Sequence, residues 1–316
     1  MRVRVSYGTA IAMGLVRGKM MARPTTAYLM TYWPGRCRND CAFCAQAKSS
    51  RANWEKLSRV TWPAFDLGEV IEALPKGGFS RICLQTVDYP GLVEDVLNLL
   101  SELEQVGLPV SLSITPVDDG ALDEFKERGV DYIGIGLDVA SERLFGELKK
   151  GLYSWEAMWD FVERAVRIFG WGRAFVHLIV GLGETDRELV ETMARAYEMG
   201  AEVSLFAFTP IKGTVLESRR PPSLERYRRL QIARHLLEKG YSLETFVFEG
   251  DELKSFGIPR EELLRILPPS VFATHGCPSC NRPYYNERPK KEPYNFPFPP
   301  DRSYLEEFIT RLSGSP

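Results

Sequence analysis

The stretch AYLMTYWPGRCRNDCAFC, residues 27–44, joins an apolar run typical of a buried strand to a loop that carries three cysteines. Further runs of the same kind follow it, and each is succeeded by a polar turn and a segment with helical periodicity. These later runs are RICLQT, VSLSIT, DYIGIGL, AFVHLIV and EVSLFAF. Consecutive βα units without an intervening linker predict an α/β fold with a parallel sheet.

The regular repetition favours a (β/α) barrel over an open doubly wound sheet, because the sequence shows no reversal of strand order. At least six units are predicted, and SLETFVFE (residues 242–249) with SVFATHG (residues 270–276) would complete a (β/α)8 barrel. We expect residues 1–26 to pack on the barrel, residues 27–276 to form it, and residues 277–316 to add a cysteine motif and a Pro-rich strap. Chemistry in such a barrel is expected at the carboxyl ends of the strands.

Composition narrows the class of protein. The chain has 316 residues with 40 Lys and Arg against 42 Asp and Glu, so no excess of charge favours binding to nucleic acid. The apolar run IAMGLV near the start is too short to span a membrane, and a cytoplasmic location is expected. In that reducing compartment the six cysteines are better explained as metal ligands or buried small side chains than as disulfides.

Cys37, Cys41 and Cys44 have the spacing C-x3-C-x2-C on the loop after the first predicted strand. Three thiolates so close in sequence can hold three corners of one [4Fe–4S] cluster and leave the fourth iron open. Structural zinc is the alternative, but it normally has four protein ligands, and the nearest histidine in the sequence is His177. The spacing therefore favours an iron–sulfur cluster.

This cysteine loop at the end of a barrel strand resembles the radical S-adenosylmethionine (SAM) superfamily. FTPIKGT, residues 208–214, is similar to the sixth-strand FxPxxGT pattern of that family. The resemblance implies contacts to SAM from an aromatic residue in the cysteine loop, a ribose-binding acid after the fourth strand and the fifth-strand LIVGLGET motif. The matching residues are Phe43, Asp138, Gly181, Gly183 and Glu184.

The family resemblance also implies the chemistry. The cluster passes an electron to bound SAM, methionine leaves, and the 5′-deoxyadenosyl radical removes a hydrogen atom from an unactivated carbon. The cofactors carry the reaction, and the protein holds cluster, radical and substrate in line while excluding water and oxygen.

Three cysteines remain: Cys83 in RICLQTVDYP, and Cys277 with Cys280 in THGCPSCNRP. The segment around Cys83 is similar to the second strand of biotin synthase, whose cysteine binds an auxiliary cluster that donates sulfur. If SVFATHG is the last strand, all three thiols would meet at the carboxyl rim and bind a second cluster. The alternatives are a buried small side chain for Cys83, and half of a zinc ribbon or a redox dithiol for the C-x-x-C pair.

The terminal GCPxCNRPxYNE segment on a biotin-synthase-like barrel most resembles one component of the two-protein lipoyl synthase of archaea. The resemblance implies sulfur insertion into the octanoyl chain of a carrier protein, with a second radical SAM protein as partner and a ferredoxin-type electron donor. An alternative is a radical SAM enzyme whose auxiliary cluster relays electrons or binds substrate in cofactor or peptide modification. A third hypothesis is a non-catalytic, metal-stabilised binding protein.

A fourth ligand for the auxiliary cluster is also suggested by relatives. Ser303 lies in an Arg-Ser-Tyr context similar to the serine that binds the auxiliary cluster of single-protein lipoyl synthase. Arg282 is the other candidate, because biotin synthase uses an arginine. His275, next to the C-x-x-C pair, is expected to order the cluster loop through a hydrogen bond.

Overall fold

The computed structural model describes residues 1–287 and 291–313. The strands are β1 (Arg2–Val5), β2 (Thr26–Thr31), β3 (Asp40–Cys41), β4 (Lys56–Leu57), β5 (Val60–Thr61), β6 (Ala64–Asp66), β7 (Arg81–Gln85), β8 (Val110–Ser113), β9 (Val130–Asp138), β10 (Lys149–Lys150), β11 (Ala174–Val180), β12 (Glu202–Ala207), β13 (Val247–Glu249) and β14 (Glu252–Ser255). The α-helices are α1 (Tyr7–Met13), α2 (Leu67–Gly77), α3 (Leu92–Leu103), α4 (Asp119–Glu127), α5 (Glu142–Leu148), α6 (Trp155–Phe169), α7 (Asp186–Glu198), α8 (Leu224–Glu238), α9 (Arg260–Ile266) and α10 (Arg302–Ser313). The 3-10 helices are Glu104–Val106, Leu243–Thr245 and Pro269–Phe272.

One eight-stranded sheet forms the frame of the molecule, in the order β12-β11-β9-β8-β7-β2-β1-β6. Six strands of this sheet run parallel and are connected by helices, as the βα repetition predicts; they are β2, β7, β8, β9, β11 and β12. Strands β1 and β6 add an antiparallel edge, so the segment before residue 27 contributes a strand to the sheet. This arrangement is the parallel sheet of a (β/α) barrel with six βα units.

The seventh and eighth strands of a complete barrel are not formed by the predicted segments. Residues 242–249 make a 3-10 turn and then β13, which pairs only with β14 in a separate hairpin among the described residues. Residues 269–272 form a 3-10 helix that begins at Pro269, directly after Pro268. Two adjacent prolines lack the backbone donors that a central strand needs, and proline is well suited to the first position of a helix. Ala273 then makes a single parallel bridge to Phe296.

The helices begin where the sequence supplies caps. Ser154 accepts a hydrogen bond from the backbone N–H of Ala157 at the start of α6, and Thr185 forms a capping box with Glu188 at the start of α7. The apolar side of α6 packs into the main core through residues such as Phe161. Within the described part of the chain, no helix is both long and apolar enough to cross a membrane.

The inner face of the sheet is unusually polar for a barrel core. Gln85, Ser113, Gly136 and His177 all face one interior cavity from four neighbouring parallel strands. Alternate residues of a strand face opposite sides, so the apolar residues between them pack outward against the helices. The barrel therefore keeps its interior free for a site.

Candidate active site

The loop of the first three cysteines is held by its own backbone. Cys41 lies in β3, which pairs with β10, and the N–H of Cys44 donates to the carbonyl of Cys41 at 3.0 Å. The backbone N–H of Gln46 donates to the Sγ of Cys44, and that of Asp88 donates to the Sγ of Cys37, both at 3.4 Å. Such hydrogen bonds to sulfur stabilise thiolates that bind a metal cluster.

Burial raises the pKa of Cys44 to about 12, and it also raises the pKa values of Cys37 and Cys41. The nearby negative charge of Asp138 adds to this effect for Cys41 and Cys44. The thiols are thus protonated at neutral pH unless a cationic group binds to them. In the described chain, no three cysteine sulfurs lie within 4.8 Å of one another. A single zinc ion, with sulfur about 2.3 Å away, would need a tighter group, whereas a four-iron cluster is larger.

Asp88 anchors this loop and was not predicted from the sequence. Its carboxylate is buried and accepts hydrogen bonds from Arg38, from the side-chain amide of Asn39 at 2.9 Å and from the hydroxyl of Tyr153 at 3.1 Å. Its backbone carbonyl accepts from the N–H of Arg38 at 2.8 Å. Asp88 follows the strand that carries Cys83, so the anchor depends on strands β2 and β7 being neighbours.

A cavity of about 270 Å³ lies beneath the cysteine loop. Its wall includes Cys37, Cys41 and Cys44, and also Phe43 and Asp138, the two residues predicted to contact adenine and ribose. The structure therefore brings these five predicted residues together. Their contact with SAM itself stays a prediction.

Lys149 is a second residue of this cavity that the sequence did not single out. Its ammonium group lies 3.0 Å from the carboxylate of Asp138 and also contacts the carbonyl of Gly136. Asp138 has a φ of +66°, a backbone conformation in which a non-glycine residue is strained. Lys149 gives the cavity a positive charge opposite the acid, a pattern suited to a ligand with both charges such as an amino acid.

The fifth-strand glycines and Glu184 lie outside the described lining of this cavity. Glu184 is buried and accepts hydrogen bonds from the N–H groups of Gly181 and Leu182, each at 2.7 Å, and pairs with Arg226. Gly181 and Gly183 have φ values of +108° and +113°, which favour glycine. These residues shape the turn after β11, and their predicted role in binding SAM is untested.

Cys277 and Cys280 are not at the carboxyl rim, and the prediction that they join Cys83 there is wrong. Cys277 interacts with Arg81 and Asp131, near the starts of β7 and β9. After Cys280 the chain runs through the interior to the opposite end, where the side chain of Asn286 donates to the last carbonyl of β12 at 2.8 Å. The segment 270–276 does not form a barrel strand, and the chain after Cys280 passes through the barrel interior.

Cys83, Cys277 and Cys280 nevertheless converge inside the barrel. Burial raises the pKa of Cys83, and it raises that of Cys277 to about 12. Neighbouring thiols of the set raise both pKa values further. The hydroxyl of Tyr28 lies 3.5 Å from the Sγ of Cys280. Three thiols in one desolvated group are a donor set that fits an iron–sulfur cluster.

Arg282 belongs to the same region. It is buried, its positive charge acts on Cys83, and its Nε has no hydrogen-bond partner among the described residues. A buried unpaired donor is costly, so this nitrogen fits a group that binds there. Its guanidinium lies 3.8 Å from the centre of the Phe206 ring.

Ser303 is not brought to these cysteines. It lies on an exposed face of α10, a helix that packs against α9 and the 3-10 helix Pro269–Phe272. The predicted Pro-rich strap, residues 286–304, has no helix before Arg302, and its residues 288–290 lie outside the described part of the chain. Residues 314–316 of the predicted C-terminal extension also lie outside it.

The C-x-x-C loop is held from both sides. Burial lowers the pKa of His275, and its Nε2 lies 3.1 Å from the carboxylate of Glu202. The backbone carbonyl of His275 accepts hydrogen bonds from Ser204 at 2.9 Å and from Arg282 at 3.0 Å. His275 thus orders the loop by hydrogen bonding, as its position next to Cys277 predicts.

Comparison with known proteins places this chain in a family. Residues 32–196 match the family described as the radical SAM superfamily, and this stretch is more than half of the chain. The chain belongs to the radical SAM superfamily, which implies a [4Fe–4S] cluster and SAM as cofactors.

Among curated proteins, biotin synthase of Thiobacillus denitrificans is 27% identical over 227 residues, covering 67% of this chain and 68% of that protein. Biotin synthase of Saccharopolyspora erythraea is 28% identical over 202 residues, covering 60% of this chain and 54% of that protein. Across the curated relatives it matches, the aligned part of the chain spans about half to two thirds of their length.

Solved structures support the fold. Methylornithine synthase matches with a TM-score of 0.55 at 20% identity, over 73% of this chain and 67% of that one. The FeFe-hydrogenase maturase HydG from Carboxydothermus hydrogenoformans matches with a TM-score of 0.55 at 15% identity, over 74% of this chain and 56% of that one.

Proposed function

We propose that this protein inserts sulfur into an unactivated methylene of an octanoyl chain attached to a carrier protein, as one of two radical SAM proteins that together make the lipoyl group. The observation that carries the proposal is the second cysteine set. Cys83 from the sheet and Cys277 and Cys280 from the C-terminal segment form one buried group towards the N-terminal end of the barrel. The similarity to proteins named biotin synthase also supports sulfur chemistry.

The first three cysteines would hold the [4Fe–4S] cluster, with one iron left open for SAM. When bound, the two clusters and SAM supply a reductively generated radical and a sulfide. The chain supplies the geometry: Asp88 fixes the cysteine loop, and Phe43, Asp138 and Lys149 offer an aromatic face and paired charges for SAM.

The lining of the cavity suits an acyl chain. Beside its polar groups it presents Phe145, Met158, Ile179, Phe206 and Phe208, which have no hydrogen-bonding side chain. Apolar walls bind methylene groups by excluding water, and they give a radical few reactive partners besides the substrate.

Arg282 would complete the auxiliary site. It lines the cavity and also acts on Cys83, so it lies between the predicted SAM site and the second cysteine set. Its unpartnered Nε makes it the fourth ligand or the residue that orients one. Ser303 has no such position.

The test begins with iron and sulfide analysis after anaerobic reconstitution. We expect about eight iron and eight sulfide per chain in the wild type, and about four of each in the Cys277→Ala/Cys280→Ala variant. SAM cleavage under reductant should survive in the variant, because its first cysteine set is unchanged. About four iron in the wild type, or one zinc, would refute the second cluster.

The second stage supplies an octanoylated carrier domain, SAM and a ferredoxin or chemical reductant. Mass spectrometry should detect addition of one sulfur atom, matched by loss of sulfide from the protein, and a second sulfur only when the partner protein is added. SAM cleavage with unchanged sulfide and an unmodified acyl chain would instead favour an auxiliary cluster that relays electrons or binds another substrate.

A further inference from the structure

The N-terminal end of the barrel has a hollow of its own. It has a volume of about 660 Å³, and its wall includes Cys280, Asn281, His275, Glu238, Arg234 and Phe298. This end of a βα barrel is usually given over to stability. Here the C-x-x-C loop forms part of the wall, and its tip, Pro278 and Ser279, is exposed. One member of the second cysteine set, Cys280, therefore lines an open hollow at the end opposite the SAM-type loop.

Three side chains at this end form a group with the geometry of metal ligands. One donor atom each from Glu202, Glu238 and His275 lie within 4.8 Å of one another. Their side chains are only 21% to 27% exposed. An imidazole with two carboxylates is a nitrogen and oxygen donor set that suits first-row divalent ions such as Fe²⁺ and Mn²⁺.

The charges around this group hold it in place and leave it attractive to a cation. The buried guanidinium of Arg234 donates to Glu238 at 2.8 Å, and Lys239, whose side chain is 55% exposed, approaches the other oxygen of that carboxylate. Arg234 and Lys239 together balance the two carboxylates. A cation that displaces the exposed lysine into water would meet two carboxylates beside one buried guanidinium.

One member of the ligand group, His275, lies on the same short loop as Cys277 and Cys280. A Cβ on Gly276, between His275 and Cys277, would lie 3.3 Å from the Sγ of Cys280. An ion bound by the three side chains would thus sit close to Cys280 without having crossed the SAM cavity.

We propose that Glu202, Glu238 and His275 bind a ferrous ion at the N-terminal hollow and that iron reaches the auxiliary cysteines from there. This inference rests on the proposed function of the second cysteine set. It assigns the two ends of the barrel different tasks, since SAM and substrate use the carboxyl end and iron uses the other. A sulfur-donating cluster that is consumed could then be rebuilt from the free face.

The first test uses Mn²⁺ with the full chain carrying its clusters, because Mn²⁺ prefers oxygen and nitrogen ligands and avoids thiolates. Free Mn²⁺ is counted by electron paramagnetic resonance during a titration. We expect one site that Glu202→Gln and Glu238→Gln each weaken at least about tenfold, the lower end of the effect of disturbing a metal site. Glu191→Gln, an exposed change on α7, is the matched control and should leave binding unchanged.

The second test measures loading. Apo protein with SAM receives limiting Fe²⁺, sulfide and a mild chemical oxidant that accepts the two electrons released for each [4Fe–4S]²⁺ cluster, and iron, sulfide and absorbance are followed over time. Glu202→Gln should slow formation of the second cluster and leave the first unaffected, with unchanged thermal unfolding showing that the variant is folded. Glu238→Gln provides a second variant with the same expected result.

The outcomes separate the two proposals. No Mn²⁺ site, or a site that both substitutions leave unchanged, would overturn the inference even when the wild type forms two clusters. Binding without any effect on loading would overturn the loading role. A wild type that binds Mn²⁺ but forms only the first cluster would refute the proposed function, and the loading role with it.

Discussion

Replacement of Asp88 by Asn measures how much one buried carboxylate contributes to the stability of the cysteine loop. The side chain is 1% exposed and accepts hydrogen bonds from Arg38, Asn39 and Tyr153. An amide has the same shape but only one accepting oxygen, and its NH₂ group faces donors. The change therefore removes charge and half of the acceptors without creating a cavity.

The expected loss of stability follows from these partners. Arg38 is 44% exposed, so water replaces much of its interaction with the carboxylate. Asn39 and Tyr153 are more enclosed, and a hydrogen bond to a charged group contributes about 1.5–3 kcal/mol. The amide oxygen retains one such bond in weaker form, so the free energy of unfolding should fall by about 2–4 kcal/mol.

Urea unfolding of the apo protein measures this loss, and iron analysis of the reconstituted protein measures its consequence. We expect Asp88→Asn to lose iron from the first site, while the iron bound by the second cysteine set remains. Asp123→Asn, an exposed change on α4, is the control and should match the wild type. A loss below about 0.5 kcal/mol, the range of ordinary surface changes, together with full iron content would refute the anchoring role of Asp88.

Three further predictions concern the cavity and the turn after β11. Asp138→Asn should weaken SAM binding about tenfold or more, as loss of a charge-assisted hydrogen bond does, and should leave the iron content unchanged. Equal SAM binding by variant and wild type in equilibrium dialysis would contradict the predicted contact of Asp138 with the ribose. Burial lowers the pKa of His177 to about 3, below the unfolded value of about 6.5. Between pH 6.5 and pH 3 the unfolded state therefore binds one proton more than the folded state, and the stability of the fold decreases as the pH drops through this range. His177→Gln should remove up to about 1.4 kcal/mol per pH unit of this dependence, and parallel denaturation curves of variant and wild type against pH would argue against it. Glu184→Gln should lower the free energy of unfolding by about 1–3 kcal/mol because two backbone donors lose their ionised acceptor, and an unchanged urea midpoint would rule out its role in shaping the turn.

The cysteine loop shows which parts of the site a local sequence pattern can predict. The spacing of Cys37, Cys41 and Cys44 lies within one loop, so the sequence alone indicated that these thiols meet. The anchor Asp88 is far from them in the chain and becomes their neighbour only because β7 pairs with β2. Lys149 is brought opposite Cys41 in the same way, through the pairing of β10 with β3.

The position of the second cysteine set could not be predicted from local sequence patterns. The sequence grouped Cys277 and Cys280 with Cys83 at the carboxyl rim after an eighth strand, whereas the structure places these thiols near one another inside the barrel, towards its N-terminal end. A 3-10 helix begins at Pro269, directly after Pro268, where the sequence predicted the eighth strand. The segment that follows Cys280 passes through the barrel interior. That path also brings His275 to Glu202.

The sequence by itself determined the six βα units and the first cysteine site, because strand and helix periods and close ligand spacing are properties of short segments. Only the tertiary structure decided that the C-terminal segment passes through part of the barrel interior and that its cysteines lie near the N-terminal end. The direction in which a segment without regular secondary structure runs depends on which space the packed strands and helices leave open, and that space is set by contacts between residues distant in the chain.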